Sequence, residues 1–279
     1  MKKILASLMA AVLAMGLVAC GSGGSGENSS TQTSQNSDTS VAAQKVDLSG
    51  DPVEFLKGKR VGAQQGTTGD SYATELGCQV MQYSRYADAI TALSQGKVDA
   101  VVIDEQPATA FMNQKDGLAV FETPLVHDEM AIAVKKGNSE LLEKLNQAIA
   151  TLEENGTLQA IYDKYITGVE GATGYTTPEG TEYPNGKLIM ATNATFPPYE
   201  YLEGDEIVGY DPEVSKAICD LLGYELEIVD MEFDGIFAAL NSGKADFGAA
   251  GFSVTPDRAK TVDFTNTYYQ SKLVCMVQE

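Results

Sequence analysis

The segment QGTTGD at 65–70 has the residue types of an anion-binding turn. It follows a predicted strand at 60–64 and precedes a helix that is predicted to begin at Ser71. Backbone N–H groups at the start of a helix have no partner within the helix, and the helix dipole favours negative charge there. The segment therefore predicts a place where backbone donors converge on an anion. Its other interpretation is a capped turn without a ligand.

The chain offers little for covalent or metal chemistry. His127 is its one histidine, there is no Trp, and Cys78, Cys219 and Cys275 lack the spacing of metal ligands. A zinc site and a Ser-His-Asp triad are therefore disfavoured, and we expect neither a metal nor a cofactor. Three cysteines cannot all pair within one chain, and Cys219 and Cys275 lie in apolar segments that predict buried thiols.

A phrase of eight residues occurs twice in the chain, with its copies 147 residues apart. ALSQGKVD at 92–99 and ALNSGKAD at 239–246 agree at five positions. Each copy predicts a helix that ends at a glycine and is followed by a buried strand. The repeat indicates two similar α/β lobes, and the cleft between such lobes is the expected place for a ligand.

Alternating strand and helix patterns run through both halves of the chain and predict open α/β sheets. Asp104 follows a buried apolar run, so it is either the cap of the next helix or a functional acid at the strand end. The segment 168–186 has no periodicity and predicts a surface linker. The predicted strands are 60–64, 79–83, 100–103, 118–121, 130–134, 188–191, 225–229, 247–250 and 273–277, and the main predicted helices are 86–95, 105–113, 139–154, 211–222 and 235–242.

The first residues are typical of an export signal, predicted at 1–20. Two lysines precede an almost wholly apolar run, and Leu17-Val18-Ala19-Cys20 resembles the lipobox of bacterial lipoproteins. That resemblance implies cleavage before Cys20, a lipid on its sulfur and an extracytoplasmic body anchored to the cell membrane. An ordinary signal peptide is the alternative. Residues 21–50 predict a flexible tether, because they are mostly Gly, Ser, Thr, Gln and Asn.

The formal net charge of −20 bears on the partners of the chain. Removal of Lys2 and Lys3 with the signal would change it to −22. A body this acidic is repelled by nucleic acid, and no basic stripe offsets the repulsion. We therefore expect no nucleic-acid partner, and we expect a monomer.

Several motifs resemble the polar amino-acid-binding proteins of ABC importers, the family 3 extracellular solute-binding proteins. Together they cover nearly everything from about 55 to 277. The resemblance implies a two-lobed α/β fold of the type II periplasmic-binding-protein class. The motifs are LIMATNATFPPYE at 188–200, VGYD at 208–211, GFSVTPDR at 251–258, VDFT at 262–265, LKGKRVG at 56–62, QGTT at 65–68, NGTL at 155–158 and IYDKY at 161–165.

The order of these motifs departs from the family order and predicts a circular permutation. The family begins with the block at 188–200 and ends with the helix that contains 161–165, whereas here that helix leads through the linker into the block. We expect lobe A (the family's second lobe) at 51–125 and lobe B at 126–279. We also expect one cut hinge connection, with 121–134 as the continuous crossover, and hence a looser hinge.

The resemblance implies a site for an amino acid. Arg258 matches the family's carboxylate clamp, because a guanidinium can bind a carboxylate through two parallel hydrogen bonds. Asp104 matches the acid that holds the ammonium group. The other residues that the resemblance assigns to this end of the ligand are Ser253, the backbone of Gly251, Thr67 and Thr68.

Other positions would enclose the ligand side chain. Phe196 and Phe233 match aromatic rings that sandwich it, and Tyr199 is a further lining residue; core packing is the alternative role for these rings. Asn193 stands where cation-preferring relatives often have an acidic residue, and Gln64 ends the facing strand. Two neutral amides predict a neutral polar side chain, such as glutamine, over lysine or arginine.

The expected function is capture of a polar amino acid and its delivery to the membrane subunits of an ABC importer, without catalysis. A lyase resembling cyclohexadienyl dehydratase is an alternative, and its general acid would be Asp104, Glu105 or His127. A ligand-sensing receptor module is a third interpretation. Fold alone cannot decide among these functions.

Overall fold

The computed structural model describes residues 46–279. The predicted signal peptide, the lipidation site Cys20 and most of the predicted tether lie outside the described residues. Val46 and Leu48, at the end of the predicted tether, pack against an apolar cluster, and the Leu48 carbonyl accepts a hydrogen bond from the Glu122 N–H at 3.0 Å. These residues belong to the folded body, so the boundary predicted at residue 51 lies too late in the chain.

Strands and helices alternate as predicted and build two α/β lobes. No helix within residues 46–279 combines the length and the apolar composition needed to cross a bilayer. The strands are β1 (Arg60–Gln64), β2 (Gln79–Tyr83), β3 (Ala100–Asp104), β4 (Leu118–Val120), β5 (Val126–Met130), β6 (Ala133–Lys135), β7 (Lys187–Thr192), β8 (Thr195–Phe196), β9 (Glu200–Glu203), β10 (Glu206–Val208), β11 (Glu225–Asp230), β12 (Phe247–Gly248), β13 (Val262–Phe264) and β14 (Tyr269–Gln278). The helices are α1 (Pro52–Leu56), α2 (Thr68–Glu75), α3 (Tyr86–Ser94), α4 (Glu105–Gln114), α5 (Ser139–Glu154), α6 (Thr157–Tyr165), α7 (Tyr210–Leu222) and α8 (Ile236–Ser242), with short 3₁₀ turns at Phe233–Gly235 and Arg258–Lys260.

The two main sheets share one arrangement. Lobe A has the strand order β2-β1-β3-β14-β4, with β5 also paired to β14. Its first three strands are parallel, and β14 runs antiparallel to β3. Lobe B has the order β11-β7-β12-β6-β13, again with three parallel strands followed by an antiparallel one, β6. The carboxyl ends of parallel strands meet at one edge of such a sheet, where ligands are expected.

The repeated phrase has the same structural role in both lobes. Asp99 accepts a hydrogen bond from the Arg60 N–H at 2.9 Å, and its own N–H donates to the Arg60 carbonyl at 2.7 Å. Asp246 and Ile189 make the corresponding two bonds at 2.7 and 2.9 Å. Each aspartate therefore ties the end of a helix–turn unit to the neighbouring parallel strand, so the predicted repeat is confirmed.

Two crossovers connect the lobes, side by side. The chain passes from β5 to β6 through Ala131 and Ile132, and from β13 to β14 through residues 265–268. The Thr265 N–H donates to the Ile132 carbonyl at 2.9 Å, and the Tyr268 N–H donates to the Met130 carbonyl at 3.1 Å. The prediction of one cut hinge connection is therefore wrong, and with it the reason to expect a looser hinge.

The sheets also correct the predicted lobe boundaries. β14 was expected in lobe B, at 273–277, but it lies between β3 and β4 in lobe A, and β5 lies there too. The reason is that a crossover carries the chain back into lobe A before β14 begins. The strand predicted at 130–134 is divided between β5 and β6 by the other crossover, and the strand predicted at 247–250 ends at Gly248.

The linker predicted at 168–186 packs along helix α7. Glu213 accepts hydrogen bonds from the Tyr165 hydroxyl at 2.7 Å and from the Tyr175 N–H. Asp220 accepts hydrogen bonds from the hydroxyls of Tyr175 and Tyr183, at 3.0 and 3.1 Å. The segment is irregular, as predicted, but two carboxylates on one helix hold it in place.

The three described cysteines are free thiols. Cys219 and Cys275 are buried, as predicted, and burial raises the pKa of both thiols well above the ordinary value. Cys78 is partly buried, and its thiol donates to the Leu56 carbonyl at 3.3 Å.

Gly209, directly before helix α7, lies against the backbone of Tyr199, directly before the hairpin β9–β10. Its φ is +131°, and a Cβ there would lie 2.3 Å from the Tyr199 carbonyl oxygen. Gly204→Ala, at the hairpin tip with φ +64° and open space, should lower the free energy of unfolding by about 1 kcal/mol from backbone strain alone. Gly209→Ala adds the clash and should lower it by about 3 kcal/mol. Urea denaturation of both variants checks this, and equal losses would contradict the close approach.

Candidate functional site

Both lobes contribute residues to one small pocket. Nine of the eleven predicted ligand-binding residues line it. Ser253 and Tyr199 do not, and Tyr86, Glu200 and Ala250 line it without having been predicted. The lining residues are Gln64, Thr67, Thr68, Tyr86, Asp104, Asn193, Phe196, Glu200, Phe233, Ala250, Gly251 and Arg258.

Arg258 extends from a 3₁₀ turn of lobe B toward lobe A. Its guanidinium donates to the Ser253 carbonyl at 2.9 Å and to the Gly66 carbonyl at 3.1 Å. The ring centroids of Phe233, Phe237 and Phe252 lie 5.6 to 5.9 Å from its central carbon. Burial lowers the pKa of Arg258 to about 10, so it remains a cation at neutral pH.

No carboxylate within residues 46–279 forms an ion pair with Arg258 at 4.0 Å or less. A guanidinium has five N–H donors, and two of its hydrogen bonds are made to carbonyls. The remaining donors can bind an incoming carboxylate.

Asp104 lies at the end of β3 with 6% of its surface exposed. It is the first flanking residue of helix α4, but its side chain does not cap that helix. Oδ1 accepts a hydrogen bond from the Ser271 hydroxyl at 2.8 Å, and no Lys or Arg within the described part of the chain pairs with it. Burial raises the pKa of Asp104 to about 7, and the nearby Asp128 adds to the rise.

The turn predicted to bind an anion has two different halves. The Thr67 hydroxyl accepts from the Asp70 N–H at 3.3 Å and donates to the Gln64 carbonyl at 2.8 Å, so Thr67 caps helix α2. The N–H groups of Thr68 and Gly69 lie at the start of that helix, beyond reach of intrahelical acceptors. The turn thus keeps two backbone N–H donors without a helical acceptor, while the Thr67 hydroxyl is already used.

Ser253 lies behind this turn, where the two lobes meet. Its hydroxyl donates to Asp128 at 2.9 Å and lies 3.4 Å from the Thr68 hydroxyl. Its carbonyl holds Arg258, as described above. Ser253 therefore orients the groups that line the pocket and is not itself part of the lining.

Gly251 has its N–H occupied. It donates to Asp211 Oδ2 at 2.8 Å, and its φ of +56° is a conformation that favours glycine. Donation from this N–H to a ligand, one form of the predicted contact, is therefore excluded in this structure. The carbonyl oxygen accepts no hydrogen bond from residues 46–279, so the backbone of Gly251 offers an acceptor, which suits an ammonium group.

Two amides join the lobes across the pocket. Gln64 Nε2 donates to Asn193 Oδ1 at 2.8 Å and to the Ser84 carbonyl at 2.8 Å. Asn193 Oδ1 also accepts from the Thr195 hydroxyl at 2.9 Å, and its Nδ2 donates to the Met231 carbonyl at 2.8 Å. Both amides are buried, at 2% and 4% exposure.

Aromatic rings form the walls. Phe196 from lobe B stacks on Tyr86 from lobe A, with ring centroids 5.1 Å apart and an angle of 19° between the planes. Phe233 contacts Phe252 at 5.1 Å. Tyr199 is fully buried, and its hydroxyl lies 3.2 Å from Ser271, which holds Asp104. Tyr199 therefore supports the acid from behind instead of lining the pocket.

Sequence reasoning missed Glu200 and Tyr86. Glu200 closes the motif at 188–200, and its position after an apolar aromatic run could have signalled a buried carboxyl. Tyr86 begins helix α3, and its hydroxyl lies 3.1 Å from the Thr67 hydroxyl. Nothing in its sequence context distinguishes it from a core tyrosine.

Comparison with known proteins identifies relatives of this chain. A family model described as bacterial extracellular solute-binding proteins, family 3, matches residues 45–168 and 188–279. The arginine-binding extracellular protein ArtP of Bacillus subtilis is 47% identical over 90 residues, which cover 32% of this chain and 35% of ArtP. The L-arginine-binding protein of Pseudomonas aeruginosa is 36% identical over 135 residues, covering 42% of this chain and 50% of that protein.

Two further relatives are a cystine-binding protein and an ancestral arginine-binding protein. The L-cystine-binding protein TcyJ of Escherichia coli is 34% identical over 114 residues, covering 40% of this chain and 43% of TcyJ. A solved structure of an ancestral arginine-binding protein bound to arginine is 44% identical, covers 28% of this chain and 35% of that chain, and has a TM-score of 0.28. The matched segments span between about a third and a half of the curated relatives named here.

The buried acid predicts a pH-dependent stability. The pKa of Asp104 in the fold is about 7, above the ordinary value, so the folded state binds this proton more tightly and loses stability as pH rises toward 7. Asp104→Asn keeps the Ser271 hydrogen bond and removes the charge. It should match the wild type at pH 4 and exceed its free energy of unfolding by about 2–4 kcal/mol at pH 8.

Urea denaturation at pH 4, 6 and 8 measures the difference. Asp205→Asn, at an exposed hairpin position, is the matched control, because it removes one carboxyl group outside the pocket. A parallel pH dependence for Asp104→Asn and the wild type would contradict the raised pKa.

Proposed function

The chain belongs to the bacterial extracellular solute-binding proteins, family 3, and from this premise we propose that it captures a polar amino acid between its lobes and delivers it to an ABC importer. The observation that carries the proposal is a pair of opposite charges from different lobes at one pocket. Arg258 and Asp104 both line it, and neither has an ionic partner within the described residues.

A zwitterion satisfies both charges at once. Its carboxylate would take the free N–H donors of Arg258 and the N–H groups of Thr68 and Gly69. Its ammonium would meet Asp104 and the Gly251 carbonyl. Because a buried charge without a partner is costly, a ligand with both groups gains more than one with either group alone. Relatives described as arginine- and cystine-binding proteins support an amino acid as this ligand.

The side-chain end favours a neutral polar ligand such as glutamine. Asn193 and Gln64 supply amide groups there and no formal charge. A ligand guanidinium or ammonium would meet no carboxylate from either residue. Arginine is the competing ligand, since it appears in the names of the two arginine-binding relatives.

A lyase is the second candidate, because the pocket holds carboxyl groups. Asp104, with its raised pKa, and Glu200 both line it. The other two acids considered do not support catalysis: Glu105 pairs with Lys272 at 3.2 Å, and His127 is not among the lining residues. Turnover of prephenate or arogenate that disappears in Asp104→Asn would favour the lyase over the binding protein.

We propose that the chain is exported and lipidated at Cys20, so that a tether holds the body on the outer side of the cell membrane. The support is the apolar run at 4–18 and the segment Leu17-Val18-Ala19-Cys20 that overlaps its end. Palmitate labelling in cells should mark the wild type and not Cys20→Ala. Equal labelling of both would reject the anchor.

We also propose that the lobe order is a circular permutation of the family order. The family match is interrupted at 169–187, which is the segment that joins α6 to β7. The resemblance makes α6 the family's closing helix and β7 its opening strand. A reordered chain, residues 187–279 followed by 40–167, should fold and bind the same amino acid. Failure of that chain to fold would count against the proposal.

Amino-acid binding is tested by calorimetry of the twenty common amino acids. We expect one polar amino acid to bind with micromolar or tighter affinity, about −8 kcal/mol or below. Arg258→Lys loses the forked geometry and should weaken binding at least tenfold, and Asp104→Asn should weaken it a hundredfold or more. Lys97→Ala, on the exposed turn after α3, is the control and should bind normally. Unchanged binding in both site variants would refute the site.

The side-chain preference has its own test. In the wild type, glutamine should bind more tightly than arginine. Asn193→Asp introduces a carboxylate at the side-chain end and should shift the ratio of affinities toward arginine by tenfold or more, about 1.4 kcal/mol. Tighter binding of arginine by the wild type would overturn the preference and leave the amino-acid site intact.

A further inference from the structure

Glu200 is a buried carboxyl group without a donor. Its residue is 1% exposed, and neither carboxyl oxygen accepts a hydrogen bond from residues 46–279. It nevertheless lines the pocket, as Gly251 does. A carboxylate in this position would leave two strong acceptors unsatisfied, and burial makes such a charge very costly.

The carboxyl group that faces Glu200 belongs to Asp211, in the first turn of α7. Asp211 is 1% exposed, and it already accepts two hydrogen bonds, from the Gly251 N–H at 2.8 Å and from the Tyr268 hydroxyl at 2.5 Å. Two carboxyl groups in buried contact cannot both be ionised. The two donors identify Asp211 as the ionised member, which leaves the proton on Glu200.

The surroundings of the pair agree with this assignment. The titratable groups that face Glu200 are Asp211, Asp104 and Tyr268, and none of them is a cation. Burial, followed by the proximity of Asp211, raises the pKa of Glu200 well above its ordinary value. The pKa of Asp211 is raised less, to about 6, because its hydrogen-bond donors oppose the effect of burial.

We propose that Glu200 is a positioning residue that stays protonated and donates its proton to Asp211, and that this shared proton fixes the Gly251 turn in the shape that receives a ligand. Asp211 then accepts three hydrogen bonds, from Glu200, Gly251 and Tyr268. The Gly251 N–H is held away from the ligand, and its carbonyl is left to accept from it.

The same network reaches the connection between the lobes. Tyr268 belongs to the crossover 265–268, and its N–H donates to the Met130 carbonyl next to the other crossover. Loss of the shared proton would place a second negative charge against Asp211. The Gly251 turn and the crossover would then lose their common anchor together.

Infrared spectroscopy of the full chain without ligand tests the proton directly. At pH 8 the wild type should show the carbonyl stretch of a protonated carboxylic acid, and ¹³C labelling of glutamate carboxyls should shift it. The band should persist in Asp104→Asn and disappear in Glu200→Gln. Absence of the band in the wild type, or its persistence in Glu200→Gln, would overturn the proposal.

Calorimetry tests the positioning role. Glu200→Gln keeps an N–H donor for Asp211 and should bind the amino acid within threefold of the wild type, whereas Glu200→Leu has no donor and should bind at least tenfold more weakly. As pH rises through the pKa of Glu200, wild-type affinity should fall relative to that of Glu200→Gln. Normal binding by Glu200→Leu would overturn the positioning role. So would a ratio of wild-type to Glu200→Gln affinity that does not change with pH.

This binding measurement rests on the proposed function, and the infrared measurement does not. If no variant binds any amino acid, the proposed function fails while the infrared band still decides the shared proton. If Glu200→Leu does not fold, the pH dependence of Glu200→Gln against the wild type decides the positioning role.

Discussion

The structure depends on an acid that the fold buries without a basic partner. Asp104 has one hydrogen bond, from Ser271, and no Lys or Arg partner within residues 46–279. Burial raises the pKa of its carboxyl group, so the ligand-free fold holds it with its proton at the lower end of the neutral range. A neutral side chain at this position would avoid the free-energy cost of burying a charge.

Residues from both lobes lie around this acid. β14 carries Ser271 to it, and Tyr199 lies behind Ser271. Arg258, from the other lobe, carries a positive charge and forms no ion pair with a carboxylate within residues 46–279. Since the two charges belong to different lobes, a ligand that bridges them joins the lobes.

Hydrogen bonds join the Gly251 turn to both crossovers. The Ala131 N–H donates to the Phe252 carbonyl at 3.0 Å, and the Val254 N–H donates to the Glu129 carbonyl at 2.9 Å. The turn at 251–254 therefore runs along the first crossover, and Asp211 joins it to the second. A change in lobe angle has to be absorbed by the same backbone that presents the Gly251 carbonyl.

Periodicity in the sequence predicted most strands and helices, because each buries one regular face, and the family motifs placed nine residues at one pocket. The features that the sequence did not predict depend on contacts between residues that are far apart in the chain. No local pattern reveals that β14 returns to lobe A, since an apolar strand fits either sheet. The occupied N–H of Gly251 depends on Asp211, 40 residues away. Glu200 was overlooked because a glutamate in sequence gives no sign of its protonation state.

The position of β14 has a consequence for vectorial synthesis. It lies between β3 and β4, so the sheet of lobe A stays split until residues 269–278 have left the ribosome. The sheet of lobe B is also completed late, because it includes β13. Strands β1 to β3 emerge early, and the edge of β3 that pairs with β14 stays unpaired until then. A nascent chain of this order cannot complete the sheet of lobe B before β13, or that of lobe A before β14, has emerged, so the early strands keep an unpaired edge until then.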